Sequence, residues 1–190
     1  KHWREQNSGT DALLKGVYFV NGVEGFIVSE NNILFTKDGG EIWQSRDISA
    51  YPLNKIQFIS KSKGWIVGEV DMIFRTLNGG KNWSEFSTSP ERDIRLVVNN
   101  QALCFIDSSQ GWVGGTDGSI FYTNDGGVNW IEQESNIPRM EPDDTKWAVN
   151  GINFANSKVG VAVTDAGFIV QTDDGGENWK LRESGIRNDL

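Results

Sequence analysis

The residues of this chain with most scope for chemistry gather in two charged stretches between apolar runs. Arg139, Glu141, Asp143 and Asp144 form one, and Glu91, Arg92, Asp93 and Arg95 form the other. Glycoside hydrolysis needs two carboxyl groups roughly 5–10 Å apart across a cleft, one acting as acid and the other as nucleophile or base. Asp143 or Asp144 facing Asp93, Asp117 or Asp165 would supply such a pair. Arg92, Arg95 and Arg139 offer a different chemistry, a clamp on a carboxylate, because a guanidinium presents paired N–H donors in one plane. Trp147 and Tyr51 add flat faces on which a sugar or a partner side chain can stack. Each stands seven residues before a Phe, Phe154 and Phe58 respectively. The plainer reading of all these residues is that the charges solvate turns and the aromatics pack at the start of a strand.

Other chemistries fail on residue types. His2 is the single histidine and Cys104 the single cysteine in 190 residues. Ser/His/Asp or Cys/His nucleophilic catalysis, a structural zinc site and an internal disulfide therefore lack their components, and no metal or cofactor is expected. Basic residues number 18 against 26 acidic ones, a net charge of −8, which argues against nucleic acid as partner because phosphate recognition needs a basic surface. No apolar run reaches the roughly 18 residues of a membrane-spanning helix. No signal peptide is visible in the opening residues, Lys1 to Gln6.

The elements that must position these residues are set by a repeat. Thr36-Lys37-Asp38-Gly39-Gly40-Glu41-Ile42-Trp43 returns as Thr76–Trp83, Thr123–Trp130 and Thr172–Trp179, with the four Trp residues 40, 47 and 49 positions apart. Upstream of each copy lies Gly25-Phe26-Ile27-Val28, Gly64-Trp65-Ile66-Val67, Gly111-Trp112-Val113-Gly114 or Gly160-Val161-Ala162-Val163. Six residues before each of those glycines stands Phe19, Phe58, Phe105 or Phe154. The apolar residues alternate with a period of two, the pattern of strands. Four strands per unit, in units of about 40–50 residues, is the organisation of a β-propeller blade. The units run over about 12–47, 50–87, 99–134 and 147–183. In the first, the strands are predicted at Leu13–Val20, Gly25–Ser29, Ile33–Thr36 and Ile42–Asp47. A single helical turn is expected at Ser89-Pro90-Glu91.

Within the repeat, paired glycines supply the positive φ of a sharp reversal between the third and fourth strands. Asp38, Asp125 and Asp174 are expected to accept backbone N–H groups across that reversal, with Asn78 substituting in the second copy. Trp43, Trp83, Trp130 and Trp179 are expected to cover the seams between blades. These are structural roles, and they place the repeated Asp residues away from any catalytic assignment.

The pattern resembles the Asp-box, or bacterial neuraminidase repeat. Together with Gly-Trp-x-Val-Gly and the stretch from Thr116 to Gly127, it most resembles the photosystem II assembly/stability factor family of propellers. The resemblance implies an all-β propeller of four-stranded antiparallel blades. It also implies an exported protein, periplasmic, extracellular or lumenal, that binds a protein partner during assembly. Asp-box propellers also include sialidases and xyloglucan-cleaving enzymes, so a glycan-binding or glycan-cleaving module is the alternative. Sialidases use an arginine cluster opening on Arg-Ile-Pro and a Tyr–Glu pair, and Ile137-Pro138-Arg139 has the wrong order. Trp3 falls 40 residues before Trp43, so residues 1–6 read as a stray outer strand. With four units present, the expectation is a segment of a larger ring. The binding residues expected on its loop face are Arg92, Arg95, Arg139, Asp143, Asp144, Trp147 and Tyr51.

Overall fold

The computed structural model describes residues 4–88, 98–142, 144–165 and 167–182. Among them no helix forms, and the chain builds four sheets in sequence, each of four antiparallel strands ordered as they occur. Blade 1 is β1 (Gly16–Phe19), β2 (Gly25–Val28), β3 (Asn32–Thr36) and β4 (Gln44–Asp47). Blade 2 is β5 (Leu53–Phe58), β6 (Gly64–Gly68), β7 (Met72–Thr76) and β8 (Ser84–Ser87). Blade 3 is β9 (Asn100–Phe105), β10 (Gly111–Gly115), β11 (Ile120–Thr123) and β12 (Ile131–Gln133). A two-stranded hairpin, β13 (Arg139–Met140) and β14 (Thr145–Lys146), precedes blade 4 and was not anticipated by the repeat. Blade 4 is β15 (Val149–Phe154), β16 (Gly160–Thr164), β17 (Ile169–Thr172) and β18 (Lys180–Arg182). The helical turn expected at Ser89-Pro90-Glu91 lies outside the described residues.

The first strands of successive blades adjoin one another, β1 to β5, β5 to β9 and β9 to β15. The fourth strands stand outermost, and β4 and β18 are exposed along their whole length. The second strands of blades 2 and 3 are the most enclosed: every residue of β6 and β10 is buried. A strand walled in on both faces needs apolar or very small residues throughout, which accounts for Gly-Trp-Ile-Val-Gly and Gly-Trp-Val-Gly-Gly.

The six-residue spacing between Phe and Gly has a steric cause. Phe19, Phe58, Phe105 and Phe154 pair directly across the first hairpin of their blades with Gly25, Gly64, Gly111 and Gly160. Each aromatic ring lies over its glycine so closely that a Cβ there would sit 2.8, 2.6, 2.5 and 2.5 Å from ring carbons. No side chain fits, so the glycine is obligatory wherever the Phe folds back.

That folded-back ring is also the joint between blades. Phe58 stacks on Phe26 of blade 1 at 4.8 Å, Phe105 on Trp65 of blade 2 at 3.7 Å, and Phe154 on Trp112 of blade 3 at 3.5 Å. The Trp of the repeat then meets the same Phe edge-on, Trp83 at 5.9 Å, Trp130 at 6.0 Å and Trp179 at 5.7 Å. Every seam therefore holds three aromatic rings, stacked and T-shaped, which are the favourable geometries for such pairs. Trp65 Nε1 donates to Gly126 O at 2.8 Å and Trp112 Nε1 to Gly175 O at 3.3 Å, tying each second strand to the repeat turn of the next blade. The residue before the seam Phe adds a further link. Gln57 exchanges two hydrogen bonds with the backbone of Phe105, and in its place in blade 3 Cys104 Sγ accepts from Phe154 N at 3.4 Å. Burial pushes the Cys104 thiol up from its ordinary pKa, which keeps it neutral and unreactive.

At the two ends of the array the same positions are uncovered. Phe19 is 42% exposed and Val17 63%, while on blade 4 Val161, which stands where Trp65 and Trp112 stand, is 37% exposed. At the first end Gln6 lies against Gly40, and Arg4 pairs with Glu41.

Replacing Trp112 by Ala is expected to lower stability by about 3–5 kcal/mol. Trp112→Phe, which copies Phe26, is expected to lose only about 1–2 kcal/mol, mainly the hydrogen bond to Gly175. Urea unfolding of the two variants checks the order.

Candidate functional site

One end of the array carries the repeat turns. In each, the Thr hydroxyl donates to the Asp or Asn side chain and accepts the N–H of the second glycine, Thr36 with Asp38 and Gly40 at 2.7 and 2.9 Å, for example. Asp38 Oδ1 accepts Ile42 N, Asn78 Oδ1 accepts Asn82 N, Asp125 accepts Val128 N and Asn129 N, and Asp174 accepts Asn178 N, all at 2.9–3.0 Å. The glycines turn at positive φ, 78° and 93° at Gly39 and Gly40. The bonds hold the carboxylates in their charged form. The Ile42 N–H and then the Thr36 hydroxyl pull Asp38 below its ordinary pKa, and the Asn178 side-chain amide leads in holding Asp174 well below it. At Asp125 burial opposes the charge, but the bonds from Asn129, Thr123 and Val128 outweigh it and bring the pKa down to about 2. A carboxylate so held is a poor general acid or base near neutral pH.

The opposite end carries the connections between second and third strands and between blades. Arg139 on β13 donates to Asp144 O at 2.6 Å and lies 3.4 Å from Asp144 Oδ2. The hairpin thus closes on itself. Its other strand bears Lys146, whose Nζ reaches Glu134 at 2.6 Å and Ser135 at 3.1 Å; Lys146 draws the Glu134 pKa down. Trp147 is half-buried, packs against the core of blades 3 and 4, and lies 6.5 Å from Phe168. Tyr51 is exposed, before blade 2, and no ring contact joins it to Trp147. Arg92, Arg95, Asp93 and Asp143 lie outside the described residues. The carboxylates of the short turns are engaged locally: Asp117 accepts Ser119, Asp165 meets Asn150, Glu69 faces Lys15 at 3.7 Å, and Asp71 is buried against Thr88. The structure therefore brings Arg139 together with Asp144, and leaves Tyr51 and Trp147 on separate blades.

A concavity of about 150 Å³ opens instead at the repeat-turn end, in the seam between blades 1 and 2. Phe26, Phe35 and Val20 form its apolar walls, and Lys37, Arg46, Lys61 and Lys81 stand around it. At the other two seams the larger indoles of Trp65 and Trp112 occupy the place of Phe26.

A family model described as Photosynthesis system II assembly factor YCF48 matches residues 1–93 and again residues 87–185. The chain belongs to this family. Among curated relatives of the YCF48 family, the photosystem II assembly lipoprotein Ycf48 of Synechococcus sp. (strain CC9902) is 29% identical over 87 residues, 43% of this chain and 26% of that protein. The chloroplastic photosystem II stability/assembly factor HCF136 of Arabidopsis thaliana is 33% identical over 75 residues, 35% of this chain and 18% of that protein. The matches thus cover about a quarter or less of each curated relative. A solved structure titled YCF48 bound to D1 peptide superposes with a TM-score of 0.68 at 25% identity, over 90% of this chain and 53% of that one.

All four repeat turns are built alike, with a Thr hydroxyl accepting the N–H of the second glycine in each. What sequence reasoning missed in this YCF48-family chain is the basic cleft. Its signal was present: Phe26 is the one aromatic at that repeat position smaller than Trp, and Lys37, Lys61 and Lys81 fall in adjoining turns.

The turn chemistry has a pH consequence. The folded pKa of Asp125 lies below the unfolded value of about 3.9. Its contribution is therefore complete above that value and is lost as pH falls from about 4 toward 2. Asp125→Ala is expected to lower stability at pH 7 by about 1 kcal/mol. Asp125→Asn, which copies Asn78, should stay folded and show a shallower acid limb. Unfolding by urea at a series of pH values measures both.

Proposed function

We propose that this chain is a non-enzymatic, protein-binding assembly module that presents its loop face to an extended segment of a partner. The observation that carries the reading is the likeness, over nine-tenths of the chain, to a YCF48 structure that holds a D1 peptide. A polypeptide of related kind, exposed while a larger complex is put together, is the ligand this supports. On the loop face, Tyr51 and the β13–β14 hairpin with Arg139 and Asp144 stand on a rigid scaffold, the usual arrangement of binding residues. Arg92, Arg95, Asp143 and Trp147 are proposed to extend that face. The lipoprotein description of the Synechococcus relative supports placement outside the cytoplasm. The uncovered faces of blades 1 and 4 support reading the four blades as part of a larger ring, each face awaiting the neighbour that the inner seams already have.

Glycan cleavage is the weaker reading, because Asp117, Asp144 and Asp165 are each engaged by a neighbouring residue rather than directed together across a cleft.

Binding of a D1 peptide to the chain, read by isothermal titration, tests the proposal. Tyr51→Ala combined with Arg139→Glu is expected to weaken it at least about tenfold with an unchanged melting temperature. Equal affinity would remove the loop face from consideration, and hydrolysis of aryl-glycosides or xyloglucan by the purified chain would overturn the non-enzymatic assignment.

A further inference from the structure

The seam between blades 1 and 2 differs from the other two in a consistent direction: it has donors in excess and an unfilled volume. Arg46 occupies the outer-strand position that Gln133 holds in blade 3. Gln133 both donates to Gly175 O at 3.1 Å and accepts Trp179 Nε1 at 3.3 Å. Arg46 donates to Gly80 O at 3.1 Å and to Lys81 O at 2.8 Å, but a guanidinium has no acceptor to offer. Trp83 Nε1, the counterpart of Trp179 Nε1, is accordingly buried without a partner. Trp130 has solved the same problem by donating to Gly127 O.

The second difference is one of size. Phe26 stacks on Phe58 as the indoles stack on their Phe partners, but it is smaller, and the space beside it is the cleft. Arg46 lies over the Phe35 ring at 5.3 Å and forms one wall. Gly80 forms another, where a Cβ would sit 2.7 Å from Phe26, so no side chain of the turn can fill the gap.

The third difference is charge. Lys37, Lys61 and Lys81 are exposed at the rim. Glu24, the acid of the rim, is occupied by the Asn21 side chain at 2.6 Å. Four cations around one small opening are an unusual concentration in a chain of net charge −8.

We propose that this cleft is a second recognition site, which takes the carboxylate-bearing end of an acidic peptide whose terminal side chain is apolar. The apolar side chain lies on Phe26 and Phe35, in a volume suited to one such group. Carboxylate oxygens accept from the cationic groups of Lys37, Lys61 and Lys81 at the opening, and the same lysines attract the acidic residues that precede them. Polyanionic nucleic acid fits less well, because the chain outside this opening is strongly acidic and the walls of the opening are aromatic and aliphatic.

Fluorescence anisotropy with a labelled peptide, Asp-Glu-Asp-Leu-Phe with a free carboxyl terminus, tests the site. The comparison probes are its amidated Asn-Gln-Asn-Leu-Phe analogue and a single-stranded oligonucleotide. The acidic peptide is expected to bind at least about tenfold more tightly than the neutral one, with affinity falling as salt rises from about 50 to 300 mM. Phe26→Trp, which fills the cleft as the other seams are filled, is expected to lower affinity at least about tenfold while keeping or raising the melting temperature. Lys61→Glu with Lys81→Glu, at exposed turns, should do the same by charge reversal, and provides the reading should Phe26→Trp disturb folding. Undiminished binding by these variants, equal binding of the neutral peptide, or preference for the oligonucleotide would overturn the proposal. None of the substituted residues lies on the loop face, so failure here leaves the loop-face reading standing, and the converse also holds.

Discussion

A phenylalanine folded over a glycine is the constraint on which the rest of this structure depends. The pairing of Phe19, Phe58, Phe105 and Phe154 with their glycines fixes the register of each blade's first hairpin. It also places one aromatic ring at the boundary of the blade, where the next contact must form. Stacking from the preceding blade and the edge of the repeat Trp from the same blade then complete a three-ring joint. A single side chain thus links local pairing, blade packing and the angle between blades. The repeat turn serves this joint by delivering the Trp, and its Asp and Thr hold the reversal that makes delivery possible.

The joint also explains where function has room. Residues committed to the seams and the repeat turns cannot vary without loosening the array, which leaves the connections at the opposite end and the few seam positions where a smaller residue is tolerated. Arg139 and Asp144 use the first freedom, on a hairpin inserted between two blades. Phe26 illustrates the second: an acceptable partner for Phe58, it leaves space that Trp65 and Trp112 fill elsewhere.

Much of the fold was legible because it is repeated. Four copies at nearly constant offsets identify the strands, and in the first blade the expected ends agree with those observed to within three residues, β1 beginning at Gly16 rather than Leu13. The role of Asp38, Asn78, Asp125 and Asp174 was legible for the same reason, since a side-chain acceptor two residues after Thr and next to paired glycines has few other uses. Residues outside the repeat were harder to read. Periodicity says nothing about an inserted hairpin such as β13–β14. Nor could it show that Trp147 is half packed into the core while Tyr51, at the same offset from its Phe, is exposed. The cleft was illegible for a different reason: it arises from an absence of volume between residues of two blades, which no single segment displays.

The most direct test of the three-ring joint as the organising unit is a double-mutant cycle on Trp65 and Phe105, each replaced by Leu singly and together, with unfolding free energies from urea titration. The three-ring joint predicts a coupling energy of about 1 kcal/mol or more for this pair. It predicts additivity within about 0.5 kcal/mol for Trp65 with Phe154, which belongs to another seam. Coupling no larger for Trp65–Phe105 than for Trp65–Phe154 would contradict it, and would mean that the rings merely fill space rather than join the blades.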